Sequence, residues 1–251
     1  MATKRSVHYY EVAHNTLSSV VGHPGFEYLK DLCQKEKGLI VDIGCGEGSR
    51  LDYLVPGKNG VGVEINQYAL NLARKNDSRF KFLLQKGEKI PLPDGWAAIT
   101  YSTFVLEHTT DPVSYIGEMV RITKPEGRLV ILCPNFGAPN RRSPNSIENP
   151  FSKLVKGLWG DFFGGDRLNW TKVTPKPDYR QIDDDTTVEP YVLSLFRYLV
   201  ARELKPVKVS SLWELEQKTT NPRKLLFLLL GKLGLFPFKY WGPQIFLVAR
   251  K

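Results

Sequence analysis

Apolar and polar positions follow two alternating rhythms along this chain. Short runs of consecutive apolar residues fall at Leu39–Ile43, Gly60–Ile65, Phe80–Leu84, Ala97–Tyr101 and Arg128–Cys133. Runs of this length predict strands buried on both faces. Helical spacing lies between them. Tyr28, Leu29, Leu32 and Cys33 form one apolar face, which Gly38 ends. Ser49–Val55 and Gln67–Lys75 predict two more helices, the second with Ala69, Leu70, Leu72 and Ala73 inward. Asp111-Pro112 opens another that runs to about Thr123, with proline at its first turn. Lys124-Pro125-Glu126-Gly127 then reads as a turn into the fifth strand. Strands alternating with helices in this way predict a mostly parallel sheet covered on both faces.

The rhythm breaks at Pro134. From there to about Asp185 the chain is rich in Pro, Asn, Gly and aromatics, including Phe151, Trp159, Phe162, Phe163 and Trp170. A stretch of that length without periodicity reads as a lid or binding insertion. The pattern resumes with a helix over Glu189–Glu203, a strand over Pro206–Leu212, an apolar helix over Pro222–Leu230 and a last strand over Gln244–Ala249. The expected organisation is an N-terminal helical cap (1–38), an α/β core (39–135 and 186–251) and a substrate-side insertion or lid (136–185).

Composition changes this picture little and charge changes it more. Of the 251 residues 42% are hydrophobic and 24% charged, a globular balance. Cys33, Cys45 and Cys133 are far apart and form no CxxC pair, so neither a disulfide framework nor a zinc cage is expected. No signal peptide and no bilayer-spanning run stands out, and the expected compartment is the cytoplasm. The net charge is +9. Residues 201–251 hold ten Lys or Arg against Glu203, Glu214 and Glu216, so most of the excess sits at this end. Such a surface attracts nucleic acid, anionic lipid or anionic glycan alike.

The chemistry is concentrated after the first strand, in Asp42-Ile43-Gly44-Cys45-Gly46-Glu47-Gly48. The glycines allow a sharp turn and let a ligand approach the backbone. A dinucleotide site has G-x-G-x-x-G and seats a pyrophosphate on the helix that follows. Here the spacing is G-x-G-x-G, and Asp42 would repel phosphate but suit a ligand with an ammonium and a sulfonium. Glu64 ends the second strand about twenty residues after the first glycine, where such folds place an acid on the ribose hydroxyls. The bland alternatives are a plain tight turn and a solvated carboxylate at a strand end.

With these residues in place, the sequence resembles class I S-adenosylmethionine-dependent methyltransferases, notably the subgroup with Leu-Glu-His after the fourth strand. The resemblance rests on Val41–Gly48, Gly62–Ile65, Gly87–Pro93, Phe104–His108 and Lys124–Leu129. It implies an α/β, Rossmann-like, doubly wound and mostly parallel seven-stranded sheet, with an antiparallel last strand and an insertion after the fifth. It also implies S-adenosylmethionine as cofactor, held by Asp42, Gly44, Cys45, Gly46, Gly48, Glu64, Ile65, Glu88 and Thr103. In that family Ile65 would pack on the adenine, Glu88 would lie near its amino group, and Thr103 would lie against the cofactor. Glu88 and Lys89 depart from the usual Asp-Ala, so Lys89 could pair with Glu88 instead.

His108 follows the fourth strand and is the candidate general base, with a structural, helix-capping role as its alternative. Asp183-Asp184-Asp185 could orient a hydroxyl or mark an acidic helix start. His8, His14 and His23 show no ligand spacing, and no metal is expected; Tyr9 and Tyr10 could close over the cofactor as a flap. Leu225–Leu230, flanked by Arg223, Lys224 and Lys232, could be buried, form a dimer contact or lie on an anionic membrane. Tyr240–Phe246 is similar to bacterial methyltransferases of surface polysaccharide or lipid-linked glycan synthesis. The expected acceptor is a small molecule or glycan, methylated on oxygen. An RNA or protein acceptor is the alternative, less favoured because Tyr101-Ser102-Thr103-Phe104 replaces an Asn-Pro-Pro-Tyr-type tetrapeptide. A non-catalytic binding module and a nicotinamide oxidoreductase are the readings from other classes.

Overall fold

A computed structural model describes residues 20–57, 59–77, 79–144, 146–163, 165–174, 186–216 and 220–251. Among these, the chain runs through α1 (Pro24–Lys35), β1 (Ile40–Ile43), α2 (Ser49–Leu54), β2 (Gly60–Glu64), α3 (Gln67–Asn76), β3 (Lys81–Leu84) and β4 (Ala97–Thr103). It continues through α4 (Pro112–Ile122), β5 (Thr123–Pro134), α5 (Pro150–Phe163), β6 (Trp170–Lys172), β7 (Val188–Pro190), α6 (Val192–Val200), β8 (Lys205–Ser210), α7 (Pro222–Lys232) and β9 (Gln244–Arg250). Seven strands form one sheet in the order β3-β2-β1-β4-β5-β9-β8. β1 runs parallel to β2 and β4, β2 runs parallel to β3, and the last strand β9 is antiparallel to β8. β6 and β7 pair separately. The order reverses between β1 and β4, and the carboxyl ends of those two strands are where a doubly wound sheet opens a ligand crevice.

Two compact units make up the chain: residues up to Thr103 with Ser114–Val130 and Lys251, and Phe104–Val113 with Ile131–Arg250. In the first, every residue of β1, β2 and β4 is buried, which is why these strands read as unbroken apolar runs. Side-chain caps set the helix starts. The His23 ring accepts from the Gly25 and Phe26 amides ahead of Pro24, which settles His23 as structural. Asn66 caps α3 through the Tyr68 and Ala69 amides. In the second unit, Leu195 and Leu199 of α6 and Phe246, Leu247 and Val248 of β9 are buried, and Trp213, Leu228 and Trp241 form a further apolar cluster.

Several expectations need correction. The insertion 136–185 is not aperiodic, since it carries the fourteen-residue helix α5 and strand β6. Leu154 and Leu158 of α5 pack against the Trp213 cluster, yet Phe151, Val155, Trp159 and Phe163 face solvent at four-residue intervals. With apolar residues on both sides, the helix lacks the contrast by which periodicity is recognised. Glu189–Glu203 is not one helix. Val188–Pro190 is a strand and α6 starts at Val192, as expected where Pro190 disfavours helix before it. Lys124–Gly127 is part of β5, not a turn before it, with Glu126 at φ +62° and its amide bonded to the Lys251 carbonyl. The first helix stops at Lys35, short of Gly38. His8, Tyr9, Tyr10, His14 and Asp183–Asp185 lie outside the described residues.

Candidate cofactor site

β1 delivers the chain to a turn that only glycine tolerates well. Gly44, Gly46 and Gly48 all have left-handed backbones, at φ +78°, +56° and +86°. The Gly44 and Cys45 amides donate to the Val63 carbonyl at 2.8 and 3.1 Å, fastening the turn to β2. Glu64 then closes it. One carboxylate oxygen accepts from the Gly46 amide at 3.0 Å, and the other from Ile65 and Asn66 at 2.8 and 2.9 Å. Burial pushes the Glu64 carboxyl above its ordinary value, and the three amides oppose that shift. The two acids singled out in the sequence thus stand on neighbouring paired strands, Asp42 opposite Gly62, and Glu64 reaches the turn that follows β1.

Asp42 is 1% exposed, and the Tyr101 hydroxyl lies near it without full hydrogen-bond geometry. Burial raises its carboxyl to about 7; nearby Arg50 and the Tyr101 hydroxyl favour the charged form, while Glu64 and Glu47 disfavour it. An unsatisfied buried carboxylate is costly unless something else pairs with it. A buried negative charge beneath backbone without side chains favours a ligand that carries positive charge and lies against main chain. S-adenosylmethionine, with its ammonium and sulfonium, is such a ligand.

Cys45 and Thr103 are buried at 6% and 1% exposure, Cys45 within the field of both acids and Thr103 accepting from Arg50 through its carbonyl. Burial holds the Cys45 thiol well above its ordinary value, so it stays a neutral packing group. A Cβ at Gly62 would lie 2.6 Å from the Cys45 sulfur, so this strand position must stay small. Ile65 is 72% exposed, open for a flat apolar ring to cover. Glu88 is exposed in the loop after β3, where its carbonyl accepts from the Gln85 amide side chain at 3.0 Å. Glu118, held below its ordinary value chiefly by Arg121, also feels the Lys89 charge. His108 belongs to the second compact unit, in a 3-10 turn over Leu106–His108, with its Nε2 3.7 Å from a buried Glu107 oxygen. The Glu107 carbonyl in turn accepts from the Thr187 amide at 2.8 Å.

Sequence reasoning missed Arg50 and Tyr115. The Arg50 guanidinium donates to the Thr103 carbonyl at 3.0 Å and tempers the field around Asp42. Its signal was available: a cation in the first turn of a helix opposes the dipole and needs a local reason. Tyr115 of α4 pairs its hydroxyl with Ser102 at 2.7 Å and reaches the Ile43 carbonyl at 3.5 Å, tying β4 to β1 at the crevice. Nothing in the spacing of Tyr115 marks it. Among the described residues no cluster of His, Cys, Asp and Glu could hold a metal ion.

Comparison with known proteins adds independent support. Residues 41–131, which contain the turn and both acids, match the family described as a methyltransferase domain. A malonyl-[acyl-carrier protein] O-methyltransferase of Serratia marcescens is 32% identical over 101 residues, covering 39% of this chain and 38% of that protein. A probable S-adenosylmethionine-dependent methyltransferase of Mycobacterium tuberculosis is 26% identical over 115 residues, 45% of this chain and 41% of that one. The chain therefore spans about two fifths of the length of these relatives. In fold it is similar to a chain of the Haloferax volcanii complex between the Trm112 methyltransferase activator and a methyltransferase, with TM-score 0.61, 14% identity and coverage of 100% and 98%. The matched segment and the sheet order agree: residues 41–131 match a methyltransferase domain family, and the chain shares its fold with solved S-adenosylmethionine-dependent methyltransferases.

Proposed function

We propose that the protein transfers a methyl group from S-adenosylmethionine to oxygen on a small molecule or glycan. The observation that carries this reading is Asp42, a buried carboxylate whose charge, among the described residues, only Arg50 and the Tyr101 hydroxyl favour, next to a left-handed glycine turn that Glu64 closes. The cofactor supplies an activated methyl on a positively charged sulfur. The chain's own residues would receive it: Asp42 as counter-charge, the Gly44–Gly48 backbone as cradle, Glu64 on the ribose, and Ile65, Glu88 and Thr103 around the adenine and methyl-bearing end. Holding acceptor and methyl in line supplies much of such catalysis. His108 would take a proton from an acceptor hydroxyl.

Oxygen transfer is supported by similarity to the Serratia enzyme, whose name describes an O-methyltransferase. A glycan acceptor is supported by the exposed Phe151, Trp159 and Phe163, which offer ring faces for sugar stacking. The three buried thiols suit a reducing compartment such as the cytoplasm. An RNA or protein acceptor is the second reading and rests on the +9 charge. Transfer of labelled methyl from S-adenosylmethionine to panels of hydroxylated small molecules, lipid-linked glycans, RNA and protein tests the proposal. Label in the first two classes is expected; label confined to RNA or protein would replace the acceptor assignment.

A further inference from the structure

The basic end of the chain has a face that the methyltransferase chemistry leaves unused. Only one side of α7 is buried. Leu228 packs into the cluster of Trp213 and Trp241, and a Cβ at Gly231 would lie 2.2 Å from the Trp213 indole nitrogen, so the helix lies hard against that ring. The other side shows Leu225, Leu226 and Leu229 to solvent, each more than half exposed, and Leu233, Leu235 and Phe236 continue the surface beyond the helix. Isolated exposed leucines are ordinary, but a run of six in twelve residues marks a binding face.

Charge identifies the occupant. Residues 217–251 contain seven Lys or Arg and no Asp or Glu. Lys224, Lys232 and Lys239 are exposed beside the leucines. Lys232 and Lys239 line a cavity of about 390 Å³ together with Ser210, Trp213, Tyr240 and one acid, Glu214. Apolar side chains bordered by lysines match the boundary between acyl chains and anionic headgroups. A second copy of the same face would bring like charges together. The exposed stripe of α5 differs in this respect, because Lys156 beside it is held by Glu148. Among the described residues no helix is long and apolar enough to cross a membrane, so contact would be with its surface.

We propose that α7 and the turn after it dock on an anionic lipid surface, with Leu225, Leu226, Leu229, Leu233, Leu235 and Phe236 entering the headgroup boundary and Lys224, Lys232 and Lys239 pairing with lipid phosphates. None of these residues belongs to the cofactor site, and the proposal does not depend on the acceptor. The test is co-sedimentation of the full chain with vesicles of phosphatidylcholine alone or with 30% phosphatidylglycerol, together with sedimentation velocity without lipid. The proposal expects binding to the anionic vesicles, at least about tenfold weaker in Leu229→Asp/Leu233→Asp and in Lys232→Glu/Lys239→Glu, and weaker in high salt. S-adenosylhomocysteine affinity measured on the same variants should equal wild type, which separates docking from misfolding and from the enzymatic reading. No binding, equal binding to both vesicle types, or binding unaffected by the variants would overturn it. So would a concentration-dependent dimer that Leu229→Asp/Leu233→Asp dissolves.

Discussion

At the scale of single residues, Asp42 carries the sharpest consequence, because its environment shifts proton affinity in a direction with opposite effects on folding and binding. Its folded value of about 7 lies above the ordinary 3.8, so the folded state holds a proton that the unfolded chain has lost. Stability contributed in this way is present below pH 4, declines as pH rises from about 4 to about 7, and is level above that. A bound cation would favour the charged form, so S-adenosylmethionine affinity should rise through the same window. Asp42→Asn should flatten both profiles and weaken binding at pH 8 by about 2 kcal/mol. Calorimetry and thermal melts across pH 5–8 would check this; parallel slopes in wild type and variant would contradict it. His108→Ala should lower turnover at least about a hundredfold while leaving cofactor affinity unchanged. Full turnover would confine His108 to packing beside Glu107.

Elements show where sequence reading succeeded and where it stopped. Wherever one physical requirement acts alone, it was legible. β1, β2 and β4 are buried throughout and therefore apolar throughout, and the Gly44–Gly48 turn needs left-handed backbone and therefore glycine. The positions of Asp42 and Glu64 were legible because both stand at or next to strand ends, and the structure places Glu64 against the glycine turn. Arg50 and Tyr115 were not, since they arrive from helices by packing that no local spacing records. α5 stayed hidden because its outer stripe is as apolar as its inner one. What fixes α5 is also invisible in sequence: Lys153 meets Glu189 of β7 at 2.7 Å, with exposures of 4% and 0%, and Glu189 also accepts from the Ser143 amide. Burial lowers the Lys153 value while Glu189 supports its charge. Removing one partner of a buried pair strands the other, so Glu189→Ala should cost about 3–5 kcal/mol. Urea melts of the variant test this, and a loss under about 1 kcal/mol would mean the pair is dispensable.

Across the whole molecule, charge and site chemistry divide. The crevice residues and the family match lie before residue 132, whereas residues 201–251 hold an excess of seven basic charges. The long sheet carries both, its order reversing at β1 and β4 as a doubly wound fold requires. The central claim is that the bare turn after β1 and the carboxylate ending β2 hold the cofactor. Titration of S-adenosylhomocysteine into wild type, Gly46→Val and Glu64→Ala measures it most directly. Valine at a backbone with φ +56° is strained, and loss of Glu64 frees the Gly46 amide and removes the carboxylate proposed to hold the ribose. Heat of binding is expected from wild type, with affinity reduced at least about thirtyfold in Glu64→Ala and undetectable in Gly46→Val, both variants remaining folded. Wild-type affinity in either folded variant would contradict the account.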